Sequence, residues 1–339
     1  MIDHIIASDL DDLETQLDRD DLRSRRVLVT GGAGFIGSWI CDILVRAHAS
    51  VFTVDNLSTG LMENIDHLFD AGSFKFRKTD ATRPDLKQKK YELIIHLASR
   101  ASPEEYQRHP IETLTANSLG THNMLELARK SDATFLYASS SEVYGDAEEI
   151  PTPETYWGKV SPIGLRSCYD EGKRYGEALC MAYMRSYGTD VRITRLFNTF
   201  GPRIRADGAY ARVVPRFISQ ALAGDDITVF GDGKQTRSFC YITDAILGIL
   251  RIAAHSKARG EVFNVGNPQE ITILDLAHKI KELAGTESKI VHKSLPPDDP
   301  RKRCPEISKA HELLGWLPKI GLETGLRKTI PWFRLKKAR

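Results

Sequence analysis

The sequence contains no long hydrophobic run, no paired cysteines and almost no net charge. No stretch approaches the ~20 consecutive apolar residues of a membrane-spanning helix, and the acidic first segment is typical neither of a signal peptide nor of a membrane anchor. The five cysteines stand singly, which argues against a disulfide framework or a zinc site and favours a reducing cytoplasm. A formal net charge of +2 provides no basic surface for nucleic acid. We therefore expect a cytoplasmic protein that binds no metal, membrane or nucleic acid.

Short apolar segments alternate with helical patterns from Arg26 onwards. The predicted strands are RVLVT, VFTVD, FKFRKTD, YELIIHLAS, ATFLYASSS and VRITRLFN, and the helices between them include FIGSWICDILVRAHA, NSLGTHNMLELARK and CYDEGKRYGEALCMAYMRSYG. Helical crossovers keep the strands parallel and place helices on both faces of the sheet. The pattern predicts an α/β fold, in which a doubly wound parallel sheet (Rossmann) carries a smaller, discontinuous α/β cap domain.

A glycine-rich turn, GGAGFIG, follows the first predicted strand and opens the first predicted helix. From Gly32 to Gly37 it fits Gly-x-Gly-x-x-Gly, and this position between strand and helix is the one that dinucleotide binding requires. Glycines let the backbone approach a pyrophosphate, and the helix N-terminus supplies amide donors and the positive end of a dipole. The turn therefore predicts a dinucleotide site, and a glycine turn without a ligand is the alternative.

The choice of cofactor depends on the end of the second predicted strand. Asp55 lies there, and its carboxylate can accept hydrogen bonds from both ribose hydroxyls of the adenosine half while repelling a 2′-phosphate. The next residue, Asn56, brings no compensating positive charge, so the pattern favours NAD over NADP. Asp80, at the end of the third predicted strand, either bounds the adenine or caps the strand. The residues assigned to the cofactor site are Gly31, Gly34, Phe35, Ile36, Gly37, Asp55, Asn56, Asp80, Leu97, Ala98, Tyr169 and Lys173.

The domain organisation follows from where this regular alternation weakens. We assign residues 25–198 and 236–266 to an NAD-binding Rossmann domain, and residues 199–235 and 267–339 to a substrate domain. The tail from residue 267 predicts short helices joined by loops. In the extension of residues 1–24, Ile6, Leu10, Leu13 and Leu17 recur at helical spacing and predict an amphipathic helix. We expect that helix to pack on its own subunit or on a neighbouring one.

A tyrosine and a lysine at a four-residue spacing predict an acid–base pair. Tyr169 and Lys173 lie on one face of a predicted helix, so the ammonium group can lower the pKa of the phenol. A tyrosinate can then take a proton from a sugar hydroxyl while the nicotinamide takes hydride. The run Ser139-Ser140-Ser141-Glu142 lies at the end of a predicted strand, and a hydroxyl there can share that proton.

The chain also resembles a known family. From Arg26 to Leu335 it is similar to the extended short-chain dehydrogenases/reductases, and within them it is most similar to the UDP-glucuronate decarboxylases, or UDP-xylose synthases. The stretches that carry the resemblance are HLASRASPEEY, SSSEVYGD, PETYWGKVSPIGLRSCYDEGKR, RLFNTFGPR, GKQTRSFCYITD and DDPRKRCPEISKA.

The resemblance implies roles for individual residues. Ser140, Tyr169 and Lys173 match the catalytic hydroxyl, the base and the modulator of the base. Glu142 matches a carboxylate that handles the sugar, and Arg303 matches an arginine close to the substrate's carboxylate and diphosphate. The other substrate-binding residues that it implies are Ser141, Asn198, Arg212, Val214 and Arg237.

The implied reaction is an NAD-dependent decarboxylation of UDP-glucuronate to UDP-xylose. Carbon 4 of the sugar is oxidised to a ketone, carbon dioxide leaves the resulting β-keto acid, and the returned hydride completes the product. A tightly bound NAD, a UDP-sugar substrate and a homodimer are further expectations from the resemblance.

Glu142 and Arg303 each have a structural alternative. Glu142 follows a strand end, where a carboxylate can cap the next turn. Arg303 ends the run RKR, in which we expect Arg301 and Lys302 on a solvated loop. An inward Arg303 could instead bind a carboxylate or diphosphate through two parallel donors.

Other activities of the superfamily are separated by single residues. The 4,6-dehydratases carry Thr-Asp-Glu where this chain has Ser140-Ser141-Glu142, and Ser141 cannot protonate a departing hydroxyl. The 4-epimerases normally lack a carboxylate at the position of Glu142. Two stretches beside the substrate, LASR and Pro215-Arg216, depart from the decarboxylase pattern. A UDP-sugar 4-epimerase therefore stays open as the alternative, followed by a dehydratase and by a non-catalytic NAD sensor.

Overall fold

Parallel strands form a central sheet in the computed structural model, which describes residues 4–17, 21–84, 86, 90–207, 212–295 and 302–337. The described strands are β1 (Arg26–Thr30), β2 (Ser50–Asp55), β3 (Phe74–Lys78), β4 (Leu93–His96), β5 (Thr134–Ser140), β6 (Val191–Leu196), β7 (Thr199–Phe200), β8 (Ile227–Phe230), β9 (Thr236–Ser238), β10 (Cys240–Tyr241), β11 (Val262–Val265), β12 (Glu270–Thr272) and β13 (Ile290–Lys293). Seven of them pair in the order β11-β6-β5-β4-β1-β2-β3, and each of these pairs is parallel.

Helices cover both faces of this sheet. The described helices are α1 (His4–Gln16), α2 (Phe35–Arg46), α3 (Pro103–Arg108), α4 (Pro110–Thr115), α5 (Thr121–Ser131), α6 (Ser167–Tyr187), α7 (Val213–Ala223), α8 (Ile242–Ala254), α9 (Ile273–Ala284), α10 (Ser308–Leu314) and α11 (Leu322–Lys337). None of the helices within the described ranges combines the length and the apolar character needed to cross a membrane.

Alternate residues of the central strands enter two separate apolar cores. Val27 and Val29 pack with α2 and α8 on one face, whereas Leu28, between them, packs with α5 and α6 on the other. Side chains of a strand alternate between faces, so a sheet covered on both sides needs apolar residues at every position. The predicted doubly wound parallel sheet is therefore confirmed.

The remaining strands form three small pairs beyond the sheet. β7 pairs with β10, β8 with β13, and β9 runs antiparallel to β12. β11 follows α8 and pairs with β6 at the edge of the large sheet. These are the segments that the sequence assigns to a substrate domain and to a returning part of the cofactor domain, and that division stays a prediction.

The tail differs from the short helices predicted for it, because α9 has 12 residues and α11 has 16. Thr272 caps α9 through a hydrogen bond that its Oγ1 accepts from the backbone N–H of Asp275. Gly285 ends the helix in the left-handed conformation. The start and stop signals of α9 were thus present in the sequence, and its apolar positions bury against the larger core.

The N-terminal helix packs on its own chain. Ile6, Leu10 and Leu13 of α1 are buried in the core that contains α2 and α8. Asp9, on the same face, accepts a 2.5 Å hydrogen bond from the hydroxyl of Tyr241 and pairs with Lys328 of α11. Of the two expected locations for this helix, the structure shows the one on the same subunit.

We predict that the helix contributes to stability through its buried face. Leu10 is fully buried, so Leu10→Ala should lower the free energy of unfolding by about 2–5 kcal/mol, through lost burial and the cavity left behind. Asp11→Ala is the matched control, because its ion pair with Arg46 lies on the exposed face and is worth less than about 1 kcal/mol. Denaturant unfolding of both variants measures the difference, and equal effects would show that the helix does not belong to the core.

Candidate functional site

The glycine turn between β1 and α2 leaves no room for side chains. Gly31 has a φ of +72°, and a Cβ added at Gly37 would lie 2.1 Å from the carbonyl oxygen of Gly31. Gly34 is the N-cap of α2 and brings no side chain to the helix N-terminus. The amides of the first helical turn therefore face the space above the turn without a covering side chain, which suits the close approach of a pyrophosphate.

Asp55 is held at the end of β2 by backbone amides. Its carboxylate accepts hydrogen bonds from the N–H groups of Ala33, at 3.1 Å, and Leu57, at 2.8 Å. Burial raises the pKa of Asp55, and these two hydrogen bonds oppose the shift. The carboxylate is thereby fixed beside the glycine turn, where the sequence places a ribose.

Asp80 closes the turn that follows β3. Its Oδ1 accepts hydrogen bonds from the amide and the hydroxyl of Thr82, which closes a turn after β3, and its Oδ2 accepts one from Asn56. Burial opposes ionisation, but the hydrogen bonds from Thr82 and Asn56 lower the pKa of Asp80. Asp80 and Asn56 also line the cavity described next, and a contact of Asp80 with the adenine stays a prediction.

A cavity of about 330 Å³ lies above the carboxyl ends of β1, β2, β4 and β5. Every residue that the sequence assigns to the cofactor lines it, and so do Ser140 and Arg212. Carboxyl ends of parallel strands share one edge of a sheet, and this edge is where such folds bind ligands. The structure therefore brings these residues together, while their contacts with a cofactor stay a prediction.

Tyr169 and Lys173 lie on one face of α6 within this cavity, and both are almost fully buried. The ring of Tyr169 stacks on that of Tyr106, with centroids 5.0 Å apart. Lys173 Nζ donates a 2.8 Å hydrogen bond to the carbonyl oxygen of Ala138 and lies 5.7 Å from the centre of the Tyr169 ring. The ammonium group is thus below the ring and bonded to the backbone of β5.

The prediction that Lys173 lowers the pKa of Tyr169 is wrong for this structure. Burial raises the pKa of Tyr169 to about 12, although a hydrogen bond from Ser140 and the charge of Arg212 oppose the shift. Burial likewise lowers the pKa of Lys173 to about 7. Desolvation disfavours the charged form of each group, and it is the largest cause of both shifts.

A second cavity, of about 200 Å³, is lined by residues that follow closely in the chain on residues of the first. Ser140 and Tyr169 line the first cavity, whereas Glu142 and Asp170 line the second. Glu142 lies in the 3₁₀ turn Ser141–Tyr144 that follows β5. The two cavities therefore share a wall built from the end of β5 and the start of α6.

Two arginines from distant parts of the chain donate hydrogen bonds to the carboxylate of Glu142. Arg303 bonds its Oε1 and Arg166 bonds its Oε2, and Arg303 also donates to the carbonyl oxygen of Gly145 at 3.3 Å. Burial opposes ionisation, but the charges of Arg303 and Arg166 hold the pKa of Glu142 well below its usual range. The carboxylate is ionised and fixed, and this is not the turn-capping role that was the alternative for Glu142.

Arg303 is buried, in keeping with the inward orientation that the sequence predicts. Lys302 is exposed, as expected of a solvated loop, and Arg301 lies outside the described residues. The backbone amide of Ser238, in β9, donates to the carbonyl oxygen of Arg303 at 3.2 Å. This contact places Arg303 beside the strand that carries Arg237.

The other predicted substrate residues are dispersed around the two cavities. Arg212 lines the first cavity and donates to the carbonyl oxygen of Ala101. Ser141 and Val214 are buried, and Val214 belongs to the larger core. Asn198 accepts a backbone hydrogen bond from Cys240, and Arg237 donates to its neighbour Thr236. Except for Arg212, none of these side chains is among those that line either cavity in the described structure, and their roles stay predictions.

Four charged residues that line the second cavity were missed in the sequence: Asp146, Lys159, Arg166 and Asp170. Arg166 is the N-cap residue of α6 and Asp170 lies in the first turn of that helix, with Arg166 Nε 3.7 Å from Asp170 Oδ2. Their four-residue spacing next to Tyr169 was a usable signal, because such pairs share a helix face. Within the described ranges, no three carboxylate, imidazole or thiol side chains gather as a metal site would require.

Comparisons with known proteins identify the family to which the chain belongs. The family described as NAD dependent epimerase/dehydratase matches residues 27–266. The chain is 47% identical over 310 residues to UDP-glucuronic acid decarboxylase 1 of Xenopus tropicalis, covering 91% of this chain and 72% of that one. It is 46% identical over 312 residues to UDP-glucuronic acid decarboxylase 3 of Arabidopsis thaliana, covering 92% and 90%.

Solved structures of sugar-nucleotide enzymes share the fold. A UDP-glucose 4-epimerase from Thermotoga maritima with UDP-glucose aligns with a TM-score of 0.85 at 32% identity, covering 92% of this chain and 99% of that one. A mutant UDP-glucuronic acid 4-epimerase from Bacillus cereus, in complex with UDP-4-deoxy-4-fluoro-glucuronic acid and NAD, aligns with a TM-score of 0.83 at 29% identity over the same shares. The chain therefore belongs to the NAD dependent epimerase/dehydratase family and, within it, to the group of the UDP-glucuronic acid decarboxylases.

Proposed function

We propose that this protein converts UDP-glucuronate to UDP-xylose and carbon dioxide with bound NAD. The observation that carries the proposal is the contact of Glu142 with Arg303 and Arg166, in a cavity that adjoins Tyr169. It places fixed negative charge and a cation for a carboxylate next to the candidate base. The identity to proteins named UDP-glucuronic acid decarboxylase supports the same substrate.

The first cavity has the features that NAD binding needs. The glycine turn can receive the pyrophosphate at the start of α2, Asp55 can hold the adenosine ribose, and Asp80 with Asn56 can bound the adenine. Leu97 and Ala98 form the wall after β4. Bound NAD supplies a reversible hydride acceptor for carbon 4 of the sugar.

Tyr169 and Ser140 are proposed to take and return the proton of the sugar hydroxyl. Both line the first cavity, and hydrogen bonding with Ser140 acts to lower the pKa of Tyr169. The raised pKa of Tyr169 means that nearby positive charge must favour its ionised form during turnover. Arg212, in the same cavity, is the cation that supplies such charge.

The second cavity suits a substrate that carries a carboxylate. Arg303 can orient that group, but Glu142 already uses part of its charge. The substrate's carboxylate would then lie close to an ionised Glu142 in a partly desolvated space, where like charges repel. Loss of carbon dioxide removes one of the two charges, so this arrangement favours decarboxylation over simple binding.

The rest of the substrate is assigned to residues near these cavities. Arg237 and Asn198 are proposed to hold the UDP part together with Arg212, and Ser141 and Val214 to border the sugar nucleotide. The contact between Ser238 and Arg303 supports this arrangement, since it fixes the Arg237 strand beside the carboxylate site.

A homodimer in a reducing compartment, the cytoplasm, completes the proposal. Ile111 and Leu114 of α4 and Tyr175 and Tyr187 of α6 expose large apolar surface, and α4 packs against α6. A second copy of the same surface would bury these side chains. The five cysteines are all free and buried, in keeping with a reducing compartment.

The proposal is tested by incubating the purified protein with UDP-glucuronate and following carbon dioxide and the nucleotide sugars. We expect carbon dioxide and UDP-xylose in equal amounts. UDP-galacturonate without carbon dioxide would replace the proposal with a 4-epimerase, as the epimerase structures suggest. No conversion, together with retained NAD binding, would indicate a non-catalytic sensor.

We predict that the protein binds NAD at least about tenfold more tightly than NADP, since a 2′-phosphate would face the carboxylate of Asp55. Asp55→Asn should reduce the ratio of the NAD affinity to the NADP affinity, because it removes the negative charge. The substituted side chain keeps one oxygen that can accept a hydrogen bond from the amide of Ala33 or Leu57. Calorimetric titration of both proteins with both nucleotides measures the ratio. Equal affinities for the wild-type protein would contradict the role of Asp55.

We predict that Tyr169→Phe lowers turnover of UDP-glucuronate by ~10²–10⁴-fold, the usual effect of losing a general acid–base group. Folding should survive, because the substitution keeps the ring that stacks on Tyr106. Tyr106→Phe is the matched control. The hydroxyl of Tyr106 is buried without a hydrogen-bond partner among the described residues, so its removal should leave turnover close to wild type. Equal turnover of the two variants would exclude Tyr169 as the base.

A further inference from the structure

Decarboxylation consumes a proton that no assigned residue supplies. When a carboxylate leaves as carbon dioxide, its electron pair stays on the sugar, and the carbon that carried it must take up a proton. Glu142 is ionised by its contacts with Arg303 and Arg166, so it has no proton to give. Because this requirement exists only if the protein is a decarboxylase, the inference rests on the proposed function.

Asp170 is a second carboxyl group in the same cavity, and its oxygens have fewer close partners than those of Glu142. Its side chain is buried and lines the second cavity beside Glu142. Asp170 Oδ1 has no hydrogen-bond partner among the described residues, and Oδ2 approaches Arg166 Nε only to 3.7 Å. A buried, ionised carboxylate needs partners for its oxygens, whereas a protonated one needs fewer.

The two carboxyl groups meet at one guanidinium. Glu142 bonds Nη2 of Arg166 and Asp170 approaches Nε, and these two nitrogens form the same edge of the group. Glu142 also accepts a hydrogen bond from Arg303, so more positive charge lies close to Glu142 than to Asp170. Two carboxyl groups that share too little positive charge divide into one ionised and one neutral form.

The surroundings of Asp170 favour its neutral form. Burial raises its pKa most, the charge of Glu142 raises it further, and Arg166 and Arg303 only partly oppose this. The other titratable or charged groups around it, on its own helix and on the neighbouring segments, are Tyr106, Asp146, Lys159, Cys168, Tyr169 and Glu171.

We propose that neutral Asp170 is the acid that donates the proton to the sugar carbon from which carbon dioxide has left. The carbon–carboxylate bond breaks and its electron pair forms the enolate of the 4-keto sugar. That carbon then forms a bond to hydrogen, the O–H bond of Asp170 breaks, and Asp170 is left as a carboxylate. Solvent reaching the second cavity returns one proton, which balances the one proton consumed in each turnover.

The experiment compares Asp170→Asn, which keeps the shape but cannot act as the acid, with Asp170→Glu, which can. In Asp170→Asn we expect UDP binding and thermal unfolding close to wild type, and release of carbon dioxide lowered by at least about 10²-fold. Asp170→Glu should recover a large part of that loss. Glu171→Gln is the matched control on the same helix, and its turnover should stay close to wild type because Glu171 pairs with Arg174 outside the cavity.

Infrared difference spectra between the wild-type protein and each Asp170 variant report the protonation of Asp170 without any need for turnover. At neutral pH the wild-type protein should show a protonated-carboxyl band that Asp170→Asn lacks and Asp170→Glu shifts. Absence of such a band, normal turnover of Asp170→Asn, or equal loss in both Asp170 variants would overturn the inference. Wild-type protein that forms no carbon dioxide would instead overturn the proposed function.

Discussion

The buried charge of Glu142 has to be compensated, and that requirement ties together three segments that are far apart in the chain. Glu142 follows β5, Arg166 directly precedes α6, and Arg303 lies 161 residues beyond Glu142. An uncompensated carboxylate in such a cavity would be very unfavourable, so the two guanidinium groups must reach it from both sides. Their contacts fix the end of the sheet, the start of α6 and the segment after β13 around one small space.

The positive charge in this cavity is shared unequally between two carboxyl groups. Both guanidinium groups bond Glu142, whereas only one of them approaches Asp170. Glu142 takes the close contacts and stays ionised, and Asp170 is left with one long contact. The same reasoning applies to the neighbouring cavity, where burial pushes Tyr169 and Lys173 towards their neutral forms. The site therefore contains groups whose protonation states are set by desolvation and partners, which is the condition for acid–base chemistry near neutral pH.

Both cavities lie where they do because the central strands are parallel. The glycine turn follows β1, Asp55 ends β2, and Ser140 ends β5, so their functional groups emerge at one edge of the sheet. This part was predictable from the sequence, because each motif directly follows an apolar strand and precedes a helix or turn. The long helices of the tail could also have been predicted, since Thr272 and Gly285 mark the ends of α9.

The sequence by itself determined the doubly wound sheet, the position of the glycine turn and the carboxylate that ends β2, because these depend on local patterns along the chain. Only the tertiary structure decided how the charges are shared. The pairing of Arg303 with Glu142 joins positions far apart in the chain, and the partners of Asp170 depend on which oxygens the arginines reach. The raised pKa of Tyr169 likewise comes chiefly from burial by surrounding segments, which the four-residue spacing to a lysine does not reveal.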